Sequence, residues 1–432
     1  HRLIRRQRQM CIRDRLNSRN LNKEIYFITD MQKNGFNGEL NSKSKFNVYI
    51  VDASPEEIGN LAITDVKIEN QILEKGKEID VSAIIRNYSS SSKSDVFTSA
   101  FIGGKRVAQK NVDINSYSRK GVTFKSILEK SGFIEGSIEI EDDQLTEDNR
   151  RYFYIHIPEK IKILYIKTPS KNPDYFKLAL NPERFKDNLI TIKERSPSDI
   201  ADLEFNNFDI LVYYGFPSFS EKEVFRIKRF LNKGGSIIFF PTEESNLNNF
   251  NREAARIFKL PKITGIKGQK GEEESFLTLR KIDLKHPVFS GIFQRENFSI
   301  NMPHFYFTIT YDKKTESEKI VEFSNKDPYI LKCAREGGQI VLFASSLNLS
   351  WTDLPLKGIF VPLLNRIVHY LVSRELLNKN NYITGDEILY SSREDYKNIE
   401  IEKPDGSITV SYTHLRAHET SLHLVCRLLL EK

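Results

Sequence analysis

Asp209-Ile210-Leu211-Val212-Tyr213-Tyr214-Gly215 and Ser236-Ile237-Ile238-Phe239-Phe240 are two nearly unbroken apolar runs, and the twenty residues between them hold a helix signal. Ser220 followed by Glu223 three places on is a capping box: the serine hydroxyl meets a free backbone N–H and the glutamate returns the favour. Val224, Ile227, Phe230 and Leu231 then recur at helical spacing, and Gly234-Gly235 ends the helix. Strands that are apolar throughout, rather than at alternate positions, are buried on both faces. Strand, helix and strand in this order predict a mostly parallel sheet with helices on its faces.

Working outward, the same period runs over residues 158–375. Ile161-Lys162-Ile163-Leu164-Tyr165-Ile166 reads as a strand, Pro173 to Leu180 as a short helix, and Gln339-Ile340-Val341-Leu342-Phe343-Ala344 as a further strand. A last helix is expected from about Leu354 to Val372, capped by Thr352 or Asp353, with Pro355 in its first turn.

Residues 60–157 switch to strands at close spacing. Leu61–Val66, Glu78–Asn87, Asp95–Ile102, Lys105–Ala108, Gly121–Phe124 and Gly136–Ile140 are separated by Gly, Asn and Ser turns, with Gly103-Gly104 as a tight hairpin. That pattern predicts a β-sandwich. In residues 16–59, Ile25–Asp30 and Asn47–Asp52 are two apolar runs with the look of buried parallel strands, the late part of an α/β unit. Residues 376–410 carry turn signals around Tyr382–Ile388 and Lys403–Ser407 and read as the start of a small β unit.

The two ends differ from everything between them. His1–Arg15 and Ser411–Lys432 resemble translated sequencing-adapter sequence, so 1–15 and 411–432 are set aside from fold reasoning. They carry +5 and +1 of the formal +7, leaving about 395 residues at +1. A nearly neutral body has no broad footprint for nucleic acid or an anionic surface, so nucleic acid is not an expected partner. Only Cys333 remains of three cysteines, too few for a disulfide or a zinc cluster, and His156, His286, His304 and His369 have no paired spacing. No apolar run reaches the roughly 18–20 residues that cross a bilayer.

Three stretches carry a family resemblance: Ile28-Thr29-Asp30-Met31-Gln32, Asp142 through Arg151, and Ser350-Trp351-Thr352-Asp353-Leu354-Pro355-Leu356 with Phe360-Val361-Pro362-Leu363-Leu364. Together with the order of blocks over 24–408, they resemble the extracytoplasmic region of BatA-type membrane proteins from aerotolerance operons. The resemblance implies a multidomain chain: the tail of a von Willebrand A-like domain (16–59), an immunoglobulin-like CARDB β-sandwich (60–157), and a three-layer α/β domain of flavodoxin-like, class I glutamine amidotransferase-like kind (158–375). It also implies a bacterial inner-membrane anchor through segments outside this chain, with the soluble part outside the cytoplasm and other cell-envelope proteins as partners.

The chemistry this resemblance would bring is incomplete. Asp30 matches the late aspartate of a von Willebrand A metal site, but the D-x-S-x-S strand that completes such a site is not here, and one carboxylate does not hold Mg²⁺. An amidotransferase needs a cysteine at the turn after a central strand and a histidine to activate it. The matching turn, Phe240-Pro241-Thr242-Glu243-Glu244, has no cysteine, and Thr242 has no evident base. No catalytic, cofactor or metal residue is therefore expected, and the chain reads as a non-catalytic scaffold of the cell envelope. The competing expectation is a hydrolase or small-ligand-binding protein. It would use the crevice at the C-terminal ends of the parallel strands, where ligands of open α/β sheets collect. Gly215, Phe216, Thr242, Glu243, Ser345, Ser346 and Asn348 would line that crevice. Sugar binding by the sandwich is a weaker option, since 60–157 contain no Trp.

Overall fold

In a computed structural model of the chain, the structure describes residues 24–29, 47–53, 59–141, 143, 145–169, 173–180, 189–243, 245–270, 275–280, 286–289, 301–373, 400–402, 408–410 and 427–429. Asp30, residues 1–15 and most of 376–432 lie outside them.

Strands β1 (Glu24–Thr29) and β2 (Asn47–Asp52) pair in parallel, from Glu24 opposite Asn47 to Thr29 opposite Asp52. Parallel pairing matches the sequence reading; burial does not. Tyr26, Phe27, Ile28, Val48, Tyr49, Ile50 and Val51 are exposed, because no described element covers either face of this two-stranded ribbon.

The β-sandwich is built from β3 (Leu61–Ile68), β4 (Glu78–Asn87), β5 (Lys93–Ile102), β6 (Lys105–Ile114), β7 (Arg119–Ile127), β8 (Gly132–Ile140) and β9 (Arg150–Ile157). One sheet has the order β3-β4-β7 and the other β6-β5-β8-β9, and every pairing is antiparallel. Alternate residues turn inward, as the two-residue period of a strand requires. On β4 these are Ile79, Val81, Ala83 and Ile85, which meet Ile134, Ile138, Phe153 and Ile155 from the other sheet in one core. Gly103 and Gly104, both with positive φ, make the β5–β6 turn, which β-carbons would strain. The last strand, β9, was absent from the sequence reading. Arg150, Tyr152, Tyr154 and His156 alternate with its apolar residues and give it the look of a polar segment.

The second unit is a seven-stranded sheet. Its strands are β10 (Ile161–Lys167), β11 (Ile190–Arg195), β12 (Ile210–Tyr214), β13 (Ser236–Phe240), β16 (Glu318–Glu322), β17 (Pro328–Arg335) and β18 (Gly338–Phe343), in the order β11-β10-β12-β13-β18-β17-β16. The first five are mutually parallel; β17 and β16 continue the sheet antiparallel. A separate antiparallel pair, β14 (Ile263–Gly268) and β15 (Phe307–Tyr311), packs beside it. Helices are few among the described residues: chiefly α1 (Tyr175–Leu180), α2 (Glu221–Asn232) and α3 (Phe360–Ser373), with short turns between. The described chain is thus mostly β-sheet, which fits the sandwich. A full three-layer amidotransferase-like domain finds no support in these elements.

Ser220 caps α2 as its sequence predicts, accepting from the Glu223 N–H while Glu223 accepts from the Ser220 N–H. Loss of such a cap costs about 1 kcal/mol. The expected helix from Leu354 is only a three-residue turn, Leu354–Leu356. Lys357 is extended there, and α3 begins three residues later. Thr352 does not cap α3. Its hydroxyl donates to the His304 carbonyl and accepts from the Leu354 N–H.

The two units meet through α3. Arg366 pairs with Glu74 at 2.7 Å, the Leu73 N–H donates to the Ser373 hydroxyl at 3.3 Å, and His369 lines a cleft with Leu73, Glu74, Lys75, Ile157, Pro158 and Ile161. Burial holds the His369 imidazole below its ordinary value of 6.5. Glu74 opposes that shift, and Arg366 adds to it. The folded protein keeps His369 neutral while the unfolded chain takes up its proton, so stability present above pH 6.5 is lost as pH falls from there toward the folded value. A His369→Gln variant should flatten this part of the stability–pH curve in urea titrations between pH 7 and 5. An unchanged slope would remove His369 from the account.

Gly338 opens β18 where α2 crosses it. A β-carbon there would lie 2.3 Å from the Gly235 carbonyl oxygen and 2.8 Å from a Leu231 methyl. The first of these is backbone and has little room to move. Gly338→Ala should destabilise the unit by about 1–3 kcal/mol, read as a lower urea midpoint.

Candidate functional site

In the seven-stranded sheet the chain moves from β10 outward to β11, then returns to β12 on the other side of β10 and continues to β13. The connections after β10 and β12 therefore leave in opposite directions and open a crevice at the strands' C-terminal ends. This is the topological switch point at which ligands of such sheets bind.

The structure brings part of the expected crevice set together. Ser346, after β18, lies beside Tyr214, the last residue of β12; their hydroxyls are 3.1 Å apart. Thr242, after β13, faces Gly215: a β-carbon on that glycine would lie 3.6 Å from the Thr242 hydroxyl. The same hydroxyl is 2.9 Å from that of Ser245. Glu243 accepts a 2.6 Å hydrogen bond from Ser350. Asn348 is structural at the rim: its carboxamide oxygen accepts from the Ser350 N–H, and its carbonyl accepts from the Trp351 and Thr352 N–H groups. Two of the expected residues face elsewhere. Ser345 is fully buried and donates to the Phe307 carbonyl, and Phe216 turns into the core against Phe250.

The polar centre of the crevice escaped the sequence reading. Lys167 ends β10 and pairs with Asp174 at 2.6 Å, both largely buried, while Asp174 also accepts from the Tyr165 hydroxyl and from the Lys177 N–H at the start of α1. Lys167 lies 5.6 Å from the Tyr165 ring centre, and Tyr165 meets Tyr214 edge-on. Burial is the main reason the Tyr165 and Tyr214 phenols are held above the usual 10, so both are neutral hydroxyls at physiological pH. The only available signal was Lys167 at the end of an otherwise apolar strand. Nothing in the local pattern ties it to Asp174.

The remaining candidates lie apart from this crevice. Cys333 sits on β17, and burial pushes its thiol up to about 11, against a smaller opposing pull from Arg335. A protonated buried thiol is a poor nucleophile. With Cys11 and Cys426 replaced by serine, a thiol reagent at pH 8 should leave native Cys333 unmodified and label it only after unfolding. Rapid native labelling would contradict its burial. His286 lies 3.3 Å from Glu318, which also pairs with the buried ammonium of Lys332; that ammonium donates to Tyr370 at 2.7 Å. His304 stacks on Phe276 and sits 3.7 Å from Asp353. The lone Trp351 is 2% exposed and packs against Phe307, a core anchor.

No family model and no curated protein matches the chain. Solved structures do. The CARDB domain of a Pyrococcus furiosus protein is 13% identical, with 23% of this chain and 96% of that one covered at a TM-score of 0.22. A cytoplasmic protein of Salmonella typhimurium LT2 is 12% identical, with coverages of 49% and 99% and a TM-score of 0.36. A β-galactosidase from Bacillus circulans sp. alkalophilus is 13% identical, with coverages of 49% and 30% and a TM-score of 0.33. At these scores none of them carries an argument about fold or function. The expectation that the chain is not an enzyme does not stand. Glycoside hydrolases stand among its structural neighbours, and the missing Cys–His pair bears only on amide hydrolysis, whereas glycoside hydrolysis uses paired carboxylates. The chain spans less than a third of that β-galactosidase.

Proposed function

We propose that this chain is the extramembrane interaction part of a BatA-type protein of the bacterial inner membrane, with other cell-envelope proteins as partners. In this reading β1 and β2 belong to a von Willebrand A-like domain, the sandwich is a CARDB module, and the seven-stranded sheet is an amidotransferase-like domain. The observation that carries it is the outer face of the four-stranded sheet. Phe133 is exposed there, and it lies 4.3 Å from the His156 ring and 6.3 Å from that of Tyr154. Clustered aromatic side chains on an open sheet face favour a protein partner, where they supply large apolar contact area at little entropic cost. No described helix is long and apolar enough to cross a membrane, so the anchor in this reading comes from other segments.

A second reading is favoured by the Lys167–Asp174 pair at the switch point. A small polar ligand, bound or hydrolysed, would take its hydrogen bonds from Lys167 and Tyr214, with Glu243 at the rim.

A photo-crosslinking residue at position 133, in protein produced in its membrane-anchored form, should give one discrete adduct with an envelope protein. A copy at position 225, on α2, should not. Equal adducts from both positions, or none from 133, would set the interaction reading aside. Saturable ligand-induced stabilisation that is lost in Lys167→Met would put the crevice reading in its place.

A further inference from the structure

Where the chain enters the sandwich, four polar side chains from two distant segments converge. Asn60 immediately precedes β3. Asp143, Asp148 and Asn149 lie in the connection from β8 to β9, the latter two in and after the 3-10 turn Thr146–Asp148. Asp143 is the organiser: its carboxylate accepts from the Leu61 N–H at 2.5 Å, from the Leu145 N–H at 2.9 Å and from the Asn149 carboxamide at 3.2 Å. Asp148 accepts from the Asn60 carboxamide at 3.1 Å with one oxygen only.

That arrangement leaves three oxygens over. Asn60 Oδ1, Asp148 Oδ1 and Asn149 Oδ1 are all buried and have no hydrogen-bond partner among the described residues, and Asn149 as a whole is 3% exposed. Turning the amides over does not help. Each –NH₂ faces a carboxylate, and a flip would set carbonyl oxygen against carboxylate oxygen. The surplus is therefore one of acceptors only, beside two carboxylates, and it calls for something that accepts several oxygen lone pairs at once.

We propose that Asn60, Asp148 and Asn149, oriented by Asp143, form a binding site for a hard divalent cation, Ca²⁺ in the first instance. Ca²⁺ takes six to eight oxygens in flexible geometry and readily accepts amide carbonyls, whereas Mg²⁺ demands a near-ideal octahedron and keeps its waters. Three side-chain oxygens leave room for carbonyls or water in the remaining positions. Among the described residues no group of three or more His, Cys, Asp and Glu is placed to hold a metal, and this set, half amide, is of a different kind. Bound there, the ion ties the first residue of β3 to the turn before β9, 82 residues along the chain, and fixes how the sandwich leaves the segment before it.

The test is calorimetric titration of the intact, EDTA-treated chain with CaCl₂, alongside thermal unfolding. One Ca²⁺ per chain is expected, with a Kd of about 10⁻⁴–10⁻³ M, the range of extracellular modules, and a rise in Tm as the site fills. Mg²⁺ should bind at least about tenfold more weakly. Asp148→Asn, almost isosteric, should weaken Ca²⁺ at least about tenfold, and Asn60→Asp should strengthen it by adding charge. No heat and no Tm change up to about 10 mM Ca²⁺ would mean the three oxygens hold water alone and would overturn the proposal. So would Ca²⁺ binding that is unchanged in Asp148→Asn.

Discussion

The central strands β10, β12, β13 and β18 hydrogen-bond to one another in parallel and are buried on both faces. Ile163, Leu164, Leu211, Val212, Ile237, Ile238, Val341 and Leu342 are each at most 1% exposed. Backbone groups shut away from water in this manner must pair with each other or cost free energy, so the strands have no freedom to slip. The positions of everything else in the unit follow. Their C-terminal ends lie along one edge, and there Lys167, Tyr214, Thr242 and Ser346 emerge from an apolar sheet into a polar crevice. Close approach on the opposite edge is equally determined: a side chain at Gly338 would meet the Gly235 carbonyl and Leu231 of α2, and one at Gly235 would meet the Phe230 ring.

The sandwich obeys a different rule. Its strands are half-buried, and its outer faces are free to carry chemistry. One carries the aromatic cluster around Phe133. The end where β3 begins carries the oxygen-rich cluster of Asn60, Asp143, Asp148 and Asn149. Between the units, α3 serves both: Leu363, Leu364 and Ile367 pack into the α/β core while Arg366, His369 and Ser373 reach Glu74, Leu73 and the cleft beside them. The sandwich and the crevice are thus joined by a helix whose polar contacts include an ion pair and a buried neutral histidine. A pH-dependent junction is a direct consequence of that arrangement.

Much of this was legible locally. The capping box at Ser220 and Glu223, the alternation along Glu78–Asn87, the Gly103-Gly104 turn and the unbroken apolar runs of β10, β12 and β13 all record burial of a face, and burial leaves a periodic trace. The misreadings have the same origin. Strand β9 looked polar because its outer residues are Arg, Tyr and His, and β1–β2 looked buried because apolar runs carry no label saying whether a covering layer is near. The helix placed at Leu354 failed because an extended Lys357 interrupts a stretch whose composition alone would support a helix.

What the sequence by itself determined is the kind and inward face of the central strands, of α2 and of the inner sandwich strands, together with the near-neutral charge of the chain between its two ends. What only the tertiary structure decided is which side chains meet. Tyr214 reaches Ser346 across 132 residues and Asn60 reaches Asp148 across 88. Lys167 and Asp174 are only seven apart, yet they face each other because α1 doubles back over the end of β10. Periodicity reports how one segment stands to a surface. The encounter of two segments is set by strand order and register, which arise from the mutual burial of the whole chain and leave no mark within any single stretch of it.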